Sequence, residues 1–190
     1  MPALLDELPE LSLELVVDDR PLDPVADGLD LVLSVTGAPV EGIVARRLRR
    51  VRSVLCASPA YLSRRGAPSA PEELETHECI RRSEGERDSL WRLESDAHGA
   101  LEVRVGGRYS VDRAGLRLDS ALAGRGIAAV PDFVAAPEIE TGRAALVLPG
   151  WRPAAAAAEH VQLQYPATRL LPRRTRAVIE RLTAALGAGG

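Results

Sequence analysis

The sequence predicts an α/β fold, and three observations predict it. Residues 11–17 alternate between apolar and polar side chains, as a half-buried strand does. Residues 29–33 form a near-continuous apolar run, which is typical of a strand covered on both faces. Between them, a turn at 18–21 places Pro21 at the first position of a short helix that stops near Gly28. This order predicts a βαβ unit with a right-handed crossover and parallel strands.

The elements on either side of this unit follow from the same signals. Residues 2–8 are predicted to be the last turns of a helix, and 42–46 and 51–56 are two further strands. Ser58 followed by Pro59 is an N-cap with Pro in the first helical turn. A second short helix is predicted over 68–76, where Ser69 and Glu72 have the spacing of a capping box.

The second half of the chain continues the alternation of strands and helices. Short strands with polar turns are predicted between 79 and 105, with Trp91 in their core. A helix over 114–123, ended by Gly124, precedes a buried strand at 126–131. The last elements are an Ala-rich connection at 153–158, a strand at 161–166 and a helix over 173–186 with Val178, Ile179, Leu182 and Leu186 on one face.

Composition restricts the class of protein. The 190 residues are 46% hydrophobic and 27% charged with a net charge of −3, which fits one ordinary domain or two small lobes and excludes a disordered chain. A pI near 5.7 and an aromatic content of 3% argue against a surface that grips nucleic acid. The acidic N-terminus and the absence of a long apolar run predict a soluble, cytoplasmic protein.

The residues that could carry chemistry are scattered. Two cysteines, Cys56 and Cys79, are expected to be inert thiols, and the three histidines share no metal-ligand spacing. Ser58 lacks the glycines of a nucleophile elbow, and the glycines at 124 and 126 end a helix instead of opening a phosphate loop. We therefore expect no enzyme, no metal and no cofactor.

A family pattern runs through nearly the whole chain. Its pieces are 27–33 (DGLDLVL), 43–48 (IVARRL), 57–62 (ASPAYL), 66–68 (GAP), 71–74 (PEEL), His77, 79–80 (CI), Trp91, 123–128 (AGRGIA), 130–133 (VPDF), 142–143 (GR), 148–151 (LPGW), 165–166 (YP) and 171–173 (LPR). In this order and spacing they resemble the effector-binding half of LysR-type transcriptional regulators. The resemblance implies a periplasmic-binding-protein-like fold (type II) of two α/β lobes with a cleft and two crossover segments. Lobe I would be 1–57 plus 164–190, and lobe II would be 58–163.

Candidate effector-binding residues follow from the rule that ligands of α/β folds bind at strand ends and helix N-termini. They are Asp19, Ser34, Thr36, Ser58, Ser110, Asp112 and Pro131. Structural interpretations of the same residues stay open. Ser58, Ser110 and Asp112 could be helix caps without a binding role. Ser34 and Thr36 could be ordinary strand-end residues, and the role of Pro131 could be to shape the backbone. Many members of the resembled family carry an Arg at the position of Ser34, so the effector preference here would differ.

Two parts of a complete regulator of this family are not matched by these 190 residues: the N-terminal helix-turn-helix and the linker helix. The resemblance also implies a first strand of lobe I between 11–17 and 29–33, and the matched sequence starts after that strand. We therefore expect an N-terminally truncated regulator, from a misplaced start codon or a gene remnant, that does not bind DNA by itself.

The sequence thus predicts a small-molecule sensing domain that forms a homodimer and has no membrane partner. Its polar candidates suit a small carboxylate or an aromatic acid. The alternatives are a stand-alone solute-binding protein of the same fold and a small enzyme on that fold, and a turnover assay separates the enzyme from the others.

Overall fold

A computed structural model describes residues 2–18, 22–36, 42–82, 89–154, 160–167 and 171–187. The chain divides into two compact units: unit 1 is Met1–Val51 with Ala157–Gly190, and unit 2 is Arg52–Ala156. The lobe boundaries expected from the resemblance lie a few residues away from these bounds and stay a prediction.

Helices and strands alternate along much of the chain. The helices are α1 (Pro2–Glu7), α2 (Pro59–Arg65), a 3₁₀ helix (Pro71–Thr76), α3 (Ala114–Leu122), α4 (Asp132–Glu140) and α5 (Arg173–Gly187). The strands are β1 (Val32–Thr36), β2 (Ile43–Arg50), β3 (Ser53–Ala57), β4 (Cys79–Ile80), β5 (Leu90–Ser95), β6 (Gly99–Arg104), β7 (Ile127–Pro131), β8 (Ala145–Val147), β9 (Arg152–Pro153) and β10 (His160–Pro166).

Unit 1 is built on a three-stranded antiparallel sheet in the order β1-β10-β2. The amphipathic helix α5 covers it with Val178, Ile179 and Leu182, which pack around the fully buried Leu163 of β10. Leu4 of α1 completes this core cluster. The predicted final helix and its apolar face are thereby confirmed.

The predicted βαβ unit is wrong. Residues 11–17 form no ladder with any described strand, and 24–28 form a single turn instead of a helix. The carboxylate of Asp23 organises that turn by accepting hydrogen bonds from the backbone N–H groups of Val25 and Ala26 at 2.8 and 3.1 Å. The second predicted strand begins three residues later than expected, as β1, and pairs antiparallel with β10. Pro21, the predicted helix start, lies outside the described residues.

The reason is that alternation specifies a surface and not a partner. A strand forms only where its backbone can hydrogen-bond to a neighbouring strand. The sequence predicted residues 11–17 as part of the same sheet as β1, but β1 pairs with β10. Leu15 and Val17 of that segment are 61% and 74% exposed. A groove of about 650 Å³ lies between 11–16, 28–33 and α5, at the place where the resemblance implies a further strand.

The described residues of unit 2 form two sheets. The first has the order β4-β7-β3-β8, with β4 parallel to β7 and the other pairs antiparallel. The second is the antiparallel meander β6-β5-β9, whose buried face carries Trp91 and Leu93. These two side chains pack with Leu55 and Ile127 of the first sheet, so the prediction that Trp91 is a core residue is confirmed.

Both helix starts predicted in this unit, at Ser58 and Ser69, form, but Ser69 has a different partner from the predicted one. Ser58 caps α2, because its Oγ accepts a hydrogen bond from the backbone N–H of Tyr61 at 3.3 Å. Ser69 pairs with Glu73 and not with the predicted Glu72: its N–H and Oγ donate to the Glu73 carboxylate at 2.9 and 2.6 Å. The helix here is a 3₁₀ helix that begins at Pro71, which puts Glu73 within reach of Ser69.

Both cysteines are buried and free, as expected of inert thiols. Burial raises the pKa of the Cys56 thiol to about 11 and that of Cys79 to about 12, from 9.0. In the native protein we expect neither thiol to react with a disulfide reagent at pH 8, because the reactive thiolate is absent. Both should react after unfolding in urea. A fast reaction of the native protein would contradict the burial.

The same shifts predict an alkaline loss of stability. The unfolded thiols ionise near pH 9 while the folded ones stay protonated, so the unfolded state is favoured as the pH rises from about 9 through the folded pKa values. Urea midpoints measured across this range should fall in the native protein and fall less in a Cys56→Ala variant. Equal curves for the two proteins would contradict the assignment to Cys56.

Candidate functional site

The strongest cluster of candidate residues lies at one edge of the first sheet of unit 2, here called the carboxyl edge. Because β4 and β7 are parallel, both end there, with Arg81 directly after β4 and Pro131 closing β7. A parallel bridge pairs Arg81 with Ser110, which adds Ser110 to the same edge. Of the residues predicted from the sequence, the structure thus brings Ser110, Asp112 and Pro131 into one region.

The loop that carries Ser110 and Asp112 is fastened by Arg117. This side chain extends from α3, and its residue is only 5% exposed. Its Nε donates to the carbonyl of Ala129 in β7 at 3.1 Å, and its Nη1 donates to the carbonyls of Val111, at 3.0 Å, and Asp112. One guanidinium therefore ties the loop to the strand beside it, which fixes the geometry of the carboxyl edge.

Arg81 is the cationic residue that directly follows β4. Its backbone is held by residues 109–111, since its N–H donates to Tyr109 O at 3.1 Å and its carbonyl accepts from Val111 N at 2.9 Å. Its Nη2 makes a long contact of 3.4 Å with Gly107 O. Its Nε is buried and has no hydrogen-bond partner within the described part of the chain. A buried donor without a partner is costly, and an oxyanion is the ligand that satisfies a guanidinium best.

Pro131 acts on the backbone at this edge. It is the N-cap residue of α4 and makes no side-chain cap, and the first turn contains Asp132, whose carboxylate accepts the N–H of Phe133 at 2.7 Å. The N–H of Asp132 donates to the carbonyl of Arg52 at 2.7 Å. A carboxylate of the protein therefore already occupies the positive end of α4.

The alternative that Ser110 or Asp112 caps α3 is wrong. The N-cap residue is Arg113, in extended conformation, and its side chain makes no cap hydrogen bond. The carbonyl of Asp112 instead accepts a hydrogen bond from Arg117, whose contacts with Val111, Asp112 and Ala129 are here called the Arg117 clamp. The end of α3 agrees with the prediction, because Gly124 adopts φ 72° immediately after the last turn.

Ser58 does not belong to the carboxyl edge. It follows β3, which is antiparallel to β7, so it lies at the opposite end of the sheet from Pro131. Its residue is 4% exposed, and its hydroxyl caps α2. The capping interpretation of Ser58 is confirmed.

The remaining candidates belong to unit 1. Ser34 and Thr36 lie inside β1 and not after it, opposite Gln162 and His160 of β10. The Oγ of Ser34 is buried and has no hydrogen-bond partner among the residues that the structure describes. Asp19 lies outside the described residues.

Sequence reasoning missed Arg81 and Arg117, although both left a signal. Arg81 directly follows a short apolar strand, which is where a ligand-facing side chain stands in a parallel pair. Arg117 lies on the buried face of α3 with Leu118 and Ala121, and a charged residue on an apolar helical face normally has a dedicated set of partners.

Within the described residues, no helix is long and apolar enough to span a membrane. The same residues contain no group of three or more His, Cys, Asp or Glu side chains arranged to hold a metal ion.

The fold is that of a ligand-binding α/β domain built from two units. The family model described as the LysR substrate binding domain matches residues 1–187, and the chain belongs to that family. The resemblance to LysR-type regulators and the periplasmic-binding-protein-like fold (type II) are confirmed.

Curated relatives agree with this assignment. The chain is 34% identical over 184 residues to the probable HTH-type transcriptional regulator LtrA of Klebsiella pneumoniae, covering 96% of this chain and 59% of that protein. It is 34% identical over 176 residues to the uncharacterised HTH-type regulator YhjC of Escherichia coli K12, covering 92% and 58%. The chain therefore spans about three fifths of the length of these relatives.

Solved structures show the same fold. The regulatory domain of CrgA, a LysR-type regulator of Neisseria meningitidis, superposes with a TM-score of 0.83 at 22% identity, covering 98% of this chain and 89% of that one. The full-length virulence activator AphB of Vibrio cholerae gives a TM-score of 0.81 at 23% identity, covering 97% of this chain and 62% of that one.

Proposed function

We propose that this effector-binding domain senses a small carboxylate through the carboxyl edge of unit 2. The observation that carries the proposal is the buried Nε of Arg81, a cationic donor that lacks a partner in the described residues, on a residue whose backbone bridges to that of Ser110. A carboxylate would accept from the guanidinium and from the hydroxyl together. The Arg117 clamp supports this role because it holds the loop of Ser110 before any ligand arrives.

The wider role is also part of the proposal. In a longer protein with a helix-turn-helix, effector binding would favour one arrangement of the domain over another, by at most the difference in affinity for the two. We propose a homodimer in the cytoplasm, no enzymatic activity, and DNA binding only through such a helix-turn-helix. A solute-binding protein for transport is disfavoured by its relatives, which are transcriptional regulators.

The test is thermal unfolding of the 190-residue chain with a panel of small aliphatic and aromatic carboxylates. A ligand at 100 times its Kd adds about 2.7 kcal/mol and raises the midpoint by several degrees. We expect one class of carboxylate to give this shift, and Arg81→Met to abolish it while the exposed Arg92→Met of β5 keeps it. Shifts retained in Arg81→Met would overturn the proposed site, and a ligand that is chemically changed would indicate an enzyme.

Ser34 is tested by a separate variant. Removing a buried hydroxyl without a partner costs no hydrogen bond, so we expect Ser34→Ala to keep or raise the free energy of unfolding, by up to about 1 kcal/mol. Urea denaturation measures the change, and a clear loss of stability in Ser34→Ala would contradict the absence of a hydrogen-bond partner.

A further inference from the structure

A second charged region of unit 2 lies at the opposite end of the same sheet. It is a cavity of about 1020 Å³ at the starts of β4 and β7, between α2 and the loop that ends α3. Its charged lining consists of four arginines and one glutamate: Arg64, Arg65, Arg108, Arg125 and Glu78. In a chain whose net charge is −3, this is a concentration of positive charge that the composition does not predict.

Two of these arginines are tethered through carbonyl groups. Arg64 Nη2 donates to Gly124 O at 3.0 Å, and Arg65 Nη2 donates to Thr76 O at 2.9 Å. A guanidinium has five N–H donors, so each keeps most of its donors for a ligand. Neutral carbonyls orient these guanidinium groups without cancelling their charge.

The other two arginines are placed by glycines that press against β4. Arg108 follows Gly107, where an added Cβ would lie 2.0 Å from Cys79 O. Arg125 precedes Gly126, where an added Cβ would lie 2.3 Å from Glu78 O. The Ile127 N–H donates to Glu78 O at 2.8 Å, which closes this approach. The backbone therefore brings Arg108 and Arg125 to the two sides of the start of β4.

Within the described residues, the positive charge of the four arginines is compensated only in part, by the single carboxylate of Glu78. No ion pair there joins any of the four arginines to a carboxylate. Glu78 accepts the backbone N–H of Arg108 at 3.3 Å. Like charges that share a cavity repel one another, and a multiply charged anion removes that repulsion.

We propose that this cavity is a second ligand site, for a small multivalent oxyanion such as phosphate or a polycarboxylate. Guanidinium forks match the geometry of both groups, and the volume fits a small molecule. The four arginines of this site are distinct from Arg81 of the carboxyl edge, and the cavity lining extends along β4 as far as Ile80 and Tyr109. Occupation would join α2, the loop after α3 and the start of β4, so the anion stabilises unit 2.

Isothermal titration of the 190-residue chain at constant ionic strength tests the proposal, with inorganic phosphate and citrate as probes and chloride as the reference. We expect one site for phosphate or citrate, and the comparison of the two identifies which oxyanion is preferred. A double variant that combines Arg108→Ala and Arg125→Ala should weaken the binding of the anion about tenfold or more, because two charged hydrogen-bond donors are lost. Arg125→Ala alone, a milder change, should show part of the loss.

The control is the pair Arg92→Ala and Arg104→Ala, which removes the same charge from exposed positions of β5 and β6. It should leave binding within about twofold, because screened surface charges contribute little. Three results overturn the proposal: no heat above that of chloride, equal weakening by both pairs, or binding that is lost only in Arg81→Met. The last would assign the anion to the carboxyl edge. Thermal unfolding without ligand confirms that each variant is folded.

Discussion

Gly107→Ala is expected to lower the free energy of unfolding by about 3 kcal/mol, because the site has no room for a methyl group. The new Cβ would lie 2.0 Å from Cys79 O and 3.0 Å from the Cys79 carbonyl carbon, which are backbone atoms. Relief requires the segment around Gly107 to move away from β4. That movement strains the 2.8 Å hydrogen bond from Cys79 N to Gly106 O. Urea denaturation measures the loss.

The neighbouring glycine supplies the control. An added Cβ on Gly106 meets nothing within 4 Å, and its φ is not in the left-handed region. Gly106→Ala should therefore change the free energy of unfolding by no more than about 0.5 kcal/mol. Similar losses in the two variants would mean that the close approach to β4 is not the cause.

Arg117→Leu is expected to lower the free energy of unfolding by a comparable amount, about 3 kcal/mol, for a different reason. The variant keeps an apolar side chain on the buried face of α3 but removes the hydrogen bonds that Arg117 donates to the carbonyls of Val111, Asp112 and Ala129. Hydrogen bonds from a charged donor are worth about 1.5–3 kcal/mol each, and the two loop carbonyls regain part of this from water. Urea denaturation measures the cost.

Two companion variants separate the clamp from general charge effects. Arg92→Leu removes an exposed arginine of β5 and should change stability by about 0.5 kcal/mol or less. Arg117→Lys keeps the charge but replaces the planar fork by a single ammonium, so an intermediate loss is expected. In Arg117→Leu the carboxylate-induced shift in melting midpoint should also disappear, since the loop of Ser110 is released. Wild-type stability in Arg117→Leu would contradict the clamp.

Local signals predicted most of the elements in unit 2. Ser58 with Pro59 marked the start of α2, Gly124 marked the end of α3, and the run before Pro131 marked β7. Each of these signals concerns residues a few positions apart, so each is contained in a short stretch of sequence. The family pattern then supplied the fold, which no single element specified.

The failures concern partners that are distant in sequence. The alternation of 11–17 was real, but which segment pairs with β1 is decided by β10, more than a hundred residues later. The prediction of the site residues was incomplete for the same reason. Ser58 follows one predicted strand and Pro131 closes another, and the antiparallel pairing of β3 with β7 puts them at opposite ends of the sheet. Arg81 became a candidate only when its bridge to Ser110 was known.

The two outer strands of the unit 1 sheet differ in their protection against self-association. β2 carries Arg46, Arg47, Arg49 and Arg50. These are the charged gatekeepers that keep an edge from recruiting another chain. β1, with the sequence VLSVT, has no charge, no proline and two side chains, Leu33 and Val35, that are 47% exposed. Its high β-propensity makes it a template for intermolecular strand pairing, so we expect self-association in concentrated solution to begin at this strand.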